Sequence, residues 1–166
     1  VTKVPSAVGS ILFRWTGVVQ RHQGVHSIQV GREAHLISAV EATARAEGMP
    51  LSTLRAHLNT TAPQHPWLYL HHSFKPTVHL EQRWAGEAVT MAARVLRPLN
   101  EGDGVSFDYT LHEWQMSHPF QCEQTGRWVS GFSGLSEEEM DTSLPRAAEH
   151  IKLMHAQWLF GQHSRC

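Results

Sequence analysis

What most constrains the fold of this chain is the order in which its apolar pattern changes period. As far as Tyr109, short apolar runs recur, and glycines, prolines or polar turns cut them; after Ser136 the spacing becomes helical. Strands formed from such short runs can build only small sheets. Helices that follow must cover them, so the order predicts an α+β domain with short strands first and helices last.

The individual segments fill in this outline. Residues 9–19 hold Ile11, Leu12, Phe13, Trp15, Val18 and Val19 around a turn at Gly17, and read as strand. Residues 25–37 read as two short strands, with the turn between them at Gly31 and the polar pair after it. Residues 38–48 are rich in alanine and glutamate, with Ser38 to cap and Gly48 to terminate, and predict a short helix. A second helical turn is expected from Ser52 through Leu58, and residues 59–66 form a polar loop with prolines. Strand character returns at Trp67–Leu70 and Val78–Leu80. It returns again in residues 87–96, where Val89, Met91 and Ala93 share one face. Asn100–Gly104 is a turn, and Val105–Tyr109 alternates as a strand. Ser136 and Glu139 form a capping box. A further helix is expected from Pro145 to about Phe160, ended by Gly161, with Ala147, Ile151, Met154 and Trp158 on one stripe. That stripe is read as packing on the domain, with a partner-binding face as the alternative. The organisation expected is a domain over residues 1–135, with a helical insert at about 38–66, and a helical extension over 136–166 packed on it.

Composition removes several function classes. A net charge of −1 gives no bulk attraction to nucleic acid. No apolar run is long enough to cross a bilayer, and residues 1–10 lack the pattern of a signal peptide, so the expected location is cytoplasmic. Cys122 and Cys166 are too few for a four-thiolate site or a disulfide framework. The 13 histidines are mostly scattered. A solvated bias is the plainer reading of them, and a metal site or pH switch the sharper one. The set His65, His71, His72 and His79 matches no standard zinc spacing, and adjacent residues on a strand point to opposite faces, so no metal is expected.

Two segments carry a family resemblance. Leu70–Thr77 reads LHHSFKPT, and Val95–Trp114 reads VLRPLNEGDGVSFDYTLHEW; MSHPFQC and GFSGLSEEE follow. The first is similar to the Asn-His-Ser-x-x-Pro-Asn motif of SET domains, matched at His72, Ser73 and Pro76. The second is similar to that family's Ile-x-x-Gly-Glu-Glu-Leu-x-x-Asp-Tyr strand, matched at Leu99, Gly102, Val105, Phe107, Asp108 and Tyr109. The tail and the earlier VHSIQVGREAHL resemble bacterial stand-alone members. The resemblance covers about residues 8–37 and 67–140.

It implies a SET-like fold of short β-strands and small sheets with a pseudo-knot and C-terminal helices. It also implies S-adenosylmethionine-dependent methyl transfer to a lysine amine. Tyr109 then takes the catalytic tyrosine's place. His71, His72 and Ser73 lie near the cofactor, and Trp114 and Phe120 are aromatic candidates beside it, as are Trp128 and Phe132. His26, Tyr69 and Phe107 belong to the substrate pocket. In-line transfer to a neutral amine needs alignment, a dry site and oxygen atoms around the methyl group, which a phenol and carbonyls supply. Each of these aromatics, Tyr109 included, also reads as ordinary core. The sequence departs from the family's pattern at His71 and Thr77, where asparagines stand, and at His26, where tyrosine is frequent. The Gly-x-Gly front strand has no counterpart, Gly9 standing alone. These departures keep open a SET-like fold without methyl transfer, serving as a binding module or as a small-molecule acid–base enzyme using His26 and His71. The expected partner is a protein or small-molecule substrate, without nucleic acid or membrane; the oligomeric state is not set by the sequence.

Overall fold

The computed structural model describes residues 1–24, 26–50, 52–54, 56 and 66–163. It is a mixed α+β arrangement of small, mostly antiparallel sheets with a few helices. Strands β1 (Ile11–Thr16), β7 (Ala88–Val95) and β6 (Val78–Ala85) form one antiparallel sheet with β7 in the centre. Strands β2 (Val18–Gln20), β4 (Ala34–Ile37) and β3 (Ile28–Gly31) form a second. The chain passes from the first sheet to the second at Gly17. There an added Cβ would lie 2.2 Å from the Ile37 carbonyl oxygen, so only glycine permits the close approach.

Helix α1 (Ala39–Ala46) starts where Ser38 Oγ accepts the Glu41 amide at 3.0 Å, and Gly48 follows it at φ +70°. Of the helical turn expected at 52–58, residues 52–54 and 56 are helical. The remainder, the loop over 59–65, His65 and Cys166 lie outside the described residues.

Two expected strands give way to tight helical turns. Trp67–Leu70 is not a strand, because Pro66–Tyr69 forms a 3-10 turn. Pro66 suits the first position of a helical turn, and Trp67 turns inward to stack on Trp15 at 6.0 Å. The strand expected at Val105–Tyr109 is confined to β8 (Ser106–Phe107). Asp108 Oδ1 accepts the Thr110 amide at 3.0 Å and bends the next residues into the 3-10 turn Tyr109–Leu111.

β8 pairs in parallel with β5 (His71–His72), His71 opposite Ser106 and His72 opposite Phe107. The connection between them contains the β6–β7 hairpin and the Asn100–Gly104 turn, so two segments distant in sequence lie side by side. A small hairpin follows, β9 (Phe120–Gln121) with β10 (Trp128–Val129).

The capping box forms as expected and opens α2 (Glu137–Ser143). The single helix expected from Pro145 to Phe160 is two elements. Pro145 sits in a 3-10 turn, Leu144–Arg146, and α3 (Glu149–His163) begins later and runs through Gly161. Ala147 is extended between them, because the Ala148 amide is drawn to the Leu111 carbonyl at 2.8 Å.

Trp15, Ile28, Leu36, Val78, Met91 and Phe107 belong to the main core. Leu111, Phe132, Met140, Ala147 and Ile151 form a second, smaller one that seats the C-terminal helices. Val89, Met91 and Ala93 are each about 1% exposed or less, the inward face that their alternation predicted.

Candidate functional site

Residues 107–113 run between two cavities and send side chains into both. The front cleft, about 240 Å³, is lined by Tyr109 and Glu113 from this segment. His26, Trp67, Leu70, His118 and Phe120 complete its walls with others. The rear cavity, about 230 Å³, is lined by Asp108, Leu111 and His112. Phe107 lines both.

In the front cleft the Tyr109 hydroxyl donates to the Leu70 carbonyl at 2.6 Å. Its proton is therefore committed, and the phenol oxygen keeps lone pairs for a donor in the cleft. Burial, with the Glu113 charge nearby, pushes Tyr109 up to about 12, so it stays a neutral phenol. Glu113 is 5% exposed. Its Oε1 accepts the Gln29 amide at 2.8 Å and its Oε2 accepts from Gln23 Nε2 at 3.1 Å. Burial raises Glu113 to about 7, against the lowering effect of those hydrogen bonds. Gln29 fixes the geometry further, because its Oε1 accepts the Trp114 amide at 2.7 Å.

His72 supports the cleft from behind. Its ring meets those of Phe74, Tyr109 and Phe120 edge-on at 4.5, 5.3 and 5.8 Å. Its Nδ1 accepts the Tyr109 amide at 3.2 Å and so carries no proton. Burial, helped by the Arg127 charge, lowers it to about 4. The 3.9 Å approach of Asp108 Oδ1 to His72 is therefore a contact between a carboxyl and a neutral imidazole, not an ion pair.

The structure thus brings together His26, Phe107, Tyr109 and Phe120 in one cleft, with His72 packed against it. The other expected site residues lie elsewhere. His71 is exposed on β5 and is not among the residues that line the cleft with His26. Ser73 Oγ donates to Gln124 Oε1 at 3.1 Å. Tyr69 is 47% exposed and lies outside the cleft lining, because its 3-10 turn rotates Leu68 and Leu70 inward instead. Trp114 stacks on Phe132 at 5.9 Å in the second core. Trp128 is exposed, and Phe132 is fully buried there. Glu113, Gln23, Gln29 and His118 did not emerge as site residues from sequence. The one available signal was the spacing of Glu113 from Tyr109, four residues, which a tight helical turn converts into one face.

Among the described residues, no group of three or more His, Cys, Asp or Glu is placed to hold a metal ion, and no helix is long and apolar enough to cross a membrane. Compared with protein-family models and with curated proteins, the chain matches none.

Proposed function

We propose that this chain is a SET-like domain whose front cleft binds a cationic amine of the lysine type and methylates it from S-adenosylmethionine, in a cytoplasmic setting. The carrying observation is the Tyr109 hydroxyl held on the Leu70 carbonyl at 2.6 Å, in a cleft that also contains the buried Glu113 carboxyl. The family motifs at 70–77 and 95–109 meet in the β5–β8 pairing, which is the juxtaposition a pseudo-knot requires.

The donor set suits a cation. A carboxyl and the faces of Phe107, Tyr109 and Phe120 line one space, and aromatic faces attract ammonium and sulfonium groups alike. At about 240 Å³ the cleft lies below the roughly 300–1,000 Å³ of drug-sized sites, so it accommodates a flexible cationic arm rather than two whole molecules. When bound, S-adenosylmethionine would supply an electrophilic methyl group. Phe120 would lie on its side of the cleft, with His72 packed behind it. Glu113 accepts a proton from the incoming ammonium, leaving a neutral amine with a free lone pair. Tyr109 accepts a hydrogen bond from that amine and orients it, and the surrounding rings exclude water.

A second reading drops methyl transfer and keeps a small-molecule acid–base reaction. Glu113, poised at about 7 in the same cleft as His26, favours it. Calorimetric titration with S-adenosylmethionine, followed by a methyl-transfer screen on lysine peptides, decides between them. Micromolar binding with transfer supports the first. No binding at millimolar ligand refutes it and leaves the second.

A further inference from the structure

The rear cavity carries chemistry that the front cleft does not use. At about 30 Å³ per water-sized group, its roughly 230 Å³ holds about eight non-hydrogen atoms. Its walls are mainly apolar and include Val78, Leu80, Leu96 and the ring of Phe107. Among them stand two imidazoles, His79 and His112, with ring centres 5.8 Å apart, and the guanidinium of Arg146.

His112 is 1% exposed, and neither of its ring nitrogens has a hydrogen-bond partner among the described residues. Buried polar atoms are ordinarily satisfied, so an imidazole orphaned at both nitrogens beside an open cavity points to a missing partner. Arg146 is exposed; its charge acts on Asp108 and His79, but its side chain makes no hydrogen bond or ion pair among the described residues. Of the other ionisable groups, Asp108 also lines the cavity, and burial raises its pKa toward the neutral acid. Arg94 is paired with Glu81, and Asp108 Oδ1 accepts both the amide and the hydroxyl of Thr110. What remains is the Arg146 guanidinium and two neutral imidazoles, each with one N–H to donate, around an apolar space, which fits an anion with an apolar tail. A planar carboxylate matches the guanidinium fork best.

We propose that the rear cavity is a binding site for a small aliphatic carboxylate, held by Arg146 and the His79–His112 pair with its chain against Val78, Leu80 and Leu96. The site is separate from the front cleft and does not depend on methyl transfer.

Hexanoate, with eight non-hydrogen atoms, is the probe, titrated into the protein while the imidazole nitrogens are followed by NMR. Hexanol and hexylamine serve as size-matched controls. Saturable shifts of the His79 and His112 resonances are expected with hexanoate, and at least about tenfold weaker binding with either control. Arg146→Gln, a surface change that leaves the core intact, is expected to weaken hexanoate by about tenfold, whereas Tyr109→Phe leaves it unchanged. Hexanol binding as tightly as hexanoate would overturn the proposal, and so would indifference to Arg146→Gln. No saturable shift up to about 10 mM hexanoate would overturn it as well.

Discussion

The two cavities flanking residues 107–113 differ in the sign of the group buried in each, and the same physical cause acts on both. In the front, burial raises the Glu113 carboxyl to about 7. At the rear, burial holds the His112 imidazole well below its ordinary range, reinforced by the neighbouring His79 and His150. Desolvation penalises charge of either sign, so it moves an acid up and a base down, and both groups are driven toward neutrality. They part company in their partners. Glu113 accepts two hydrogen bonds, from Gln29 and Gln23, whereas the nitrogens of His112 have none among the described residues. The front is a satisfied, preorganised site. The rear is a costly one whose polar group waits for a partner.

The largest expected effect falls on the front alone. Tyr109→Phe removes the hydroxyl held on the Leu70 carbonyl and, on the proposed function, should lower methyl transfer by about 10²–10³-fold, the typical loss for one positioned transition-state hydrogen-bonding group. Its stability should fall by only about 1 kcal/mol, the value of one hydrogen bond. Parallel kinetics and urea unfolding separate the two. A rate unchanged by the substitution would place the chemistry elsewhere.

Acid stability tests the burial argument across both cavities. Below pH 6.5 the unfolded chain takes up protons at histidines that the folded chain keeps neutral, so stability must fall as pH drops from 6.5 toward the folded value. His72, lowered to about 4, accounts for about 3 kcal/mol of loss by pH 4 on this reckoning. His35, His79, His112 and His150 are lowered too and act in the same direction. Glu113, raised to about 7, works against them. The folded form binds its proton first, so its share of stability grows as pH falls from 7 to about 4.5. Urea unfolding from pH 8 to pH 4 should show a net decline below 6.5, and a flat profile would contradict the burial of these imidazoles.

A sharper test of the rear compares wild type with His112→Leu. An apolar side chain of similar size removes two unsatisfied nitrogens, and should stabilise the protein by about 1–2 kcal/mol. Calorimetric unfolding at pH 7 measures it, and clear destabilisation would mean that the imidazole is satisfied after all. The smallest change is expected from Glu113→Gln. It keeps an acceptor for the Gln29 amide but loses the charge, and should weaken a lysine-type amine by about tenfold. The inflection near pH 7 in the rate profile should vanish with it. An inflection that survives would take the titration away from Glu113.

Local signals were legible where a residue's role depends on its neighbours in sequence. Ser38, Gly48 and the Ser136–Glu139 box mark helix ends because caps act within one turn of chain. The alternation of Val89, Met91 and Ala93 marks a buried strand face because side chains on a strand alternate. The errors fell where tertiary contacts outvoted the local pattern. Trp67 stacks on Trp15 from a 3-10 turn that its strand-like composition concealed. The Ala148 amide, taken by Leu111, splits what reads as one helix into two. At the site, Tyr109, Phe107, Phe120 and His26 stood out by motif and now share a cleft. Glu113 did not stand out, since a lone glutamate in sequence is nearly always solvated.

The sequence by itself determined the order of strands and helices, the caps, and the turn residues that keep the sheets small, all consequences of interactions within a few residues. The tertiary structure alone decided which side chains lose water. Burying Glu113, His72 and His112 requires segments from residues 26, 70, 79, 113 and 150 to meet. Only that enclosure turns an ordinary carboxyl and ordinary imidazoles into groups with shifted charge, because desolvation depends on what surrounds an atom and not on what precedes it in the chain.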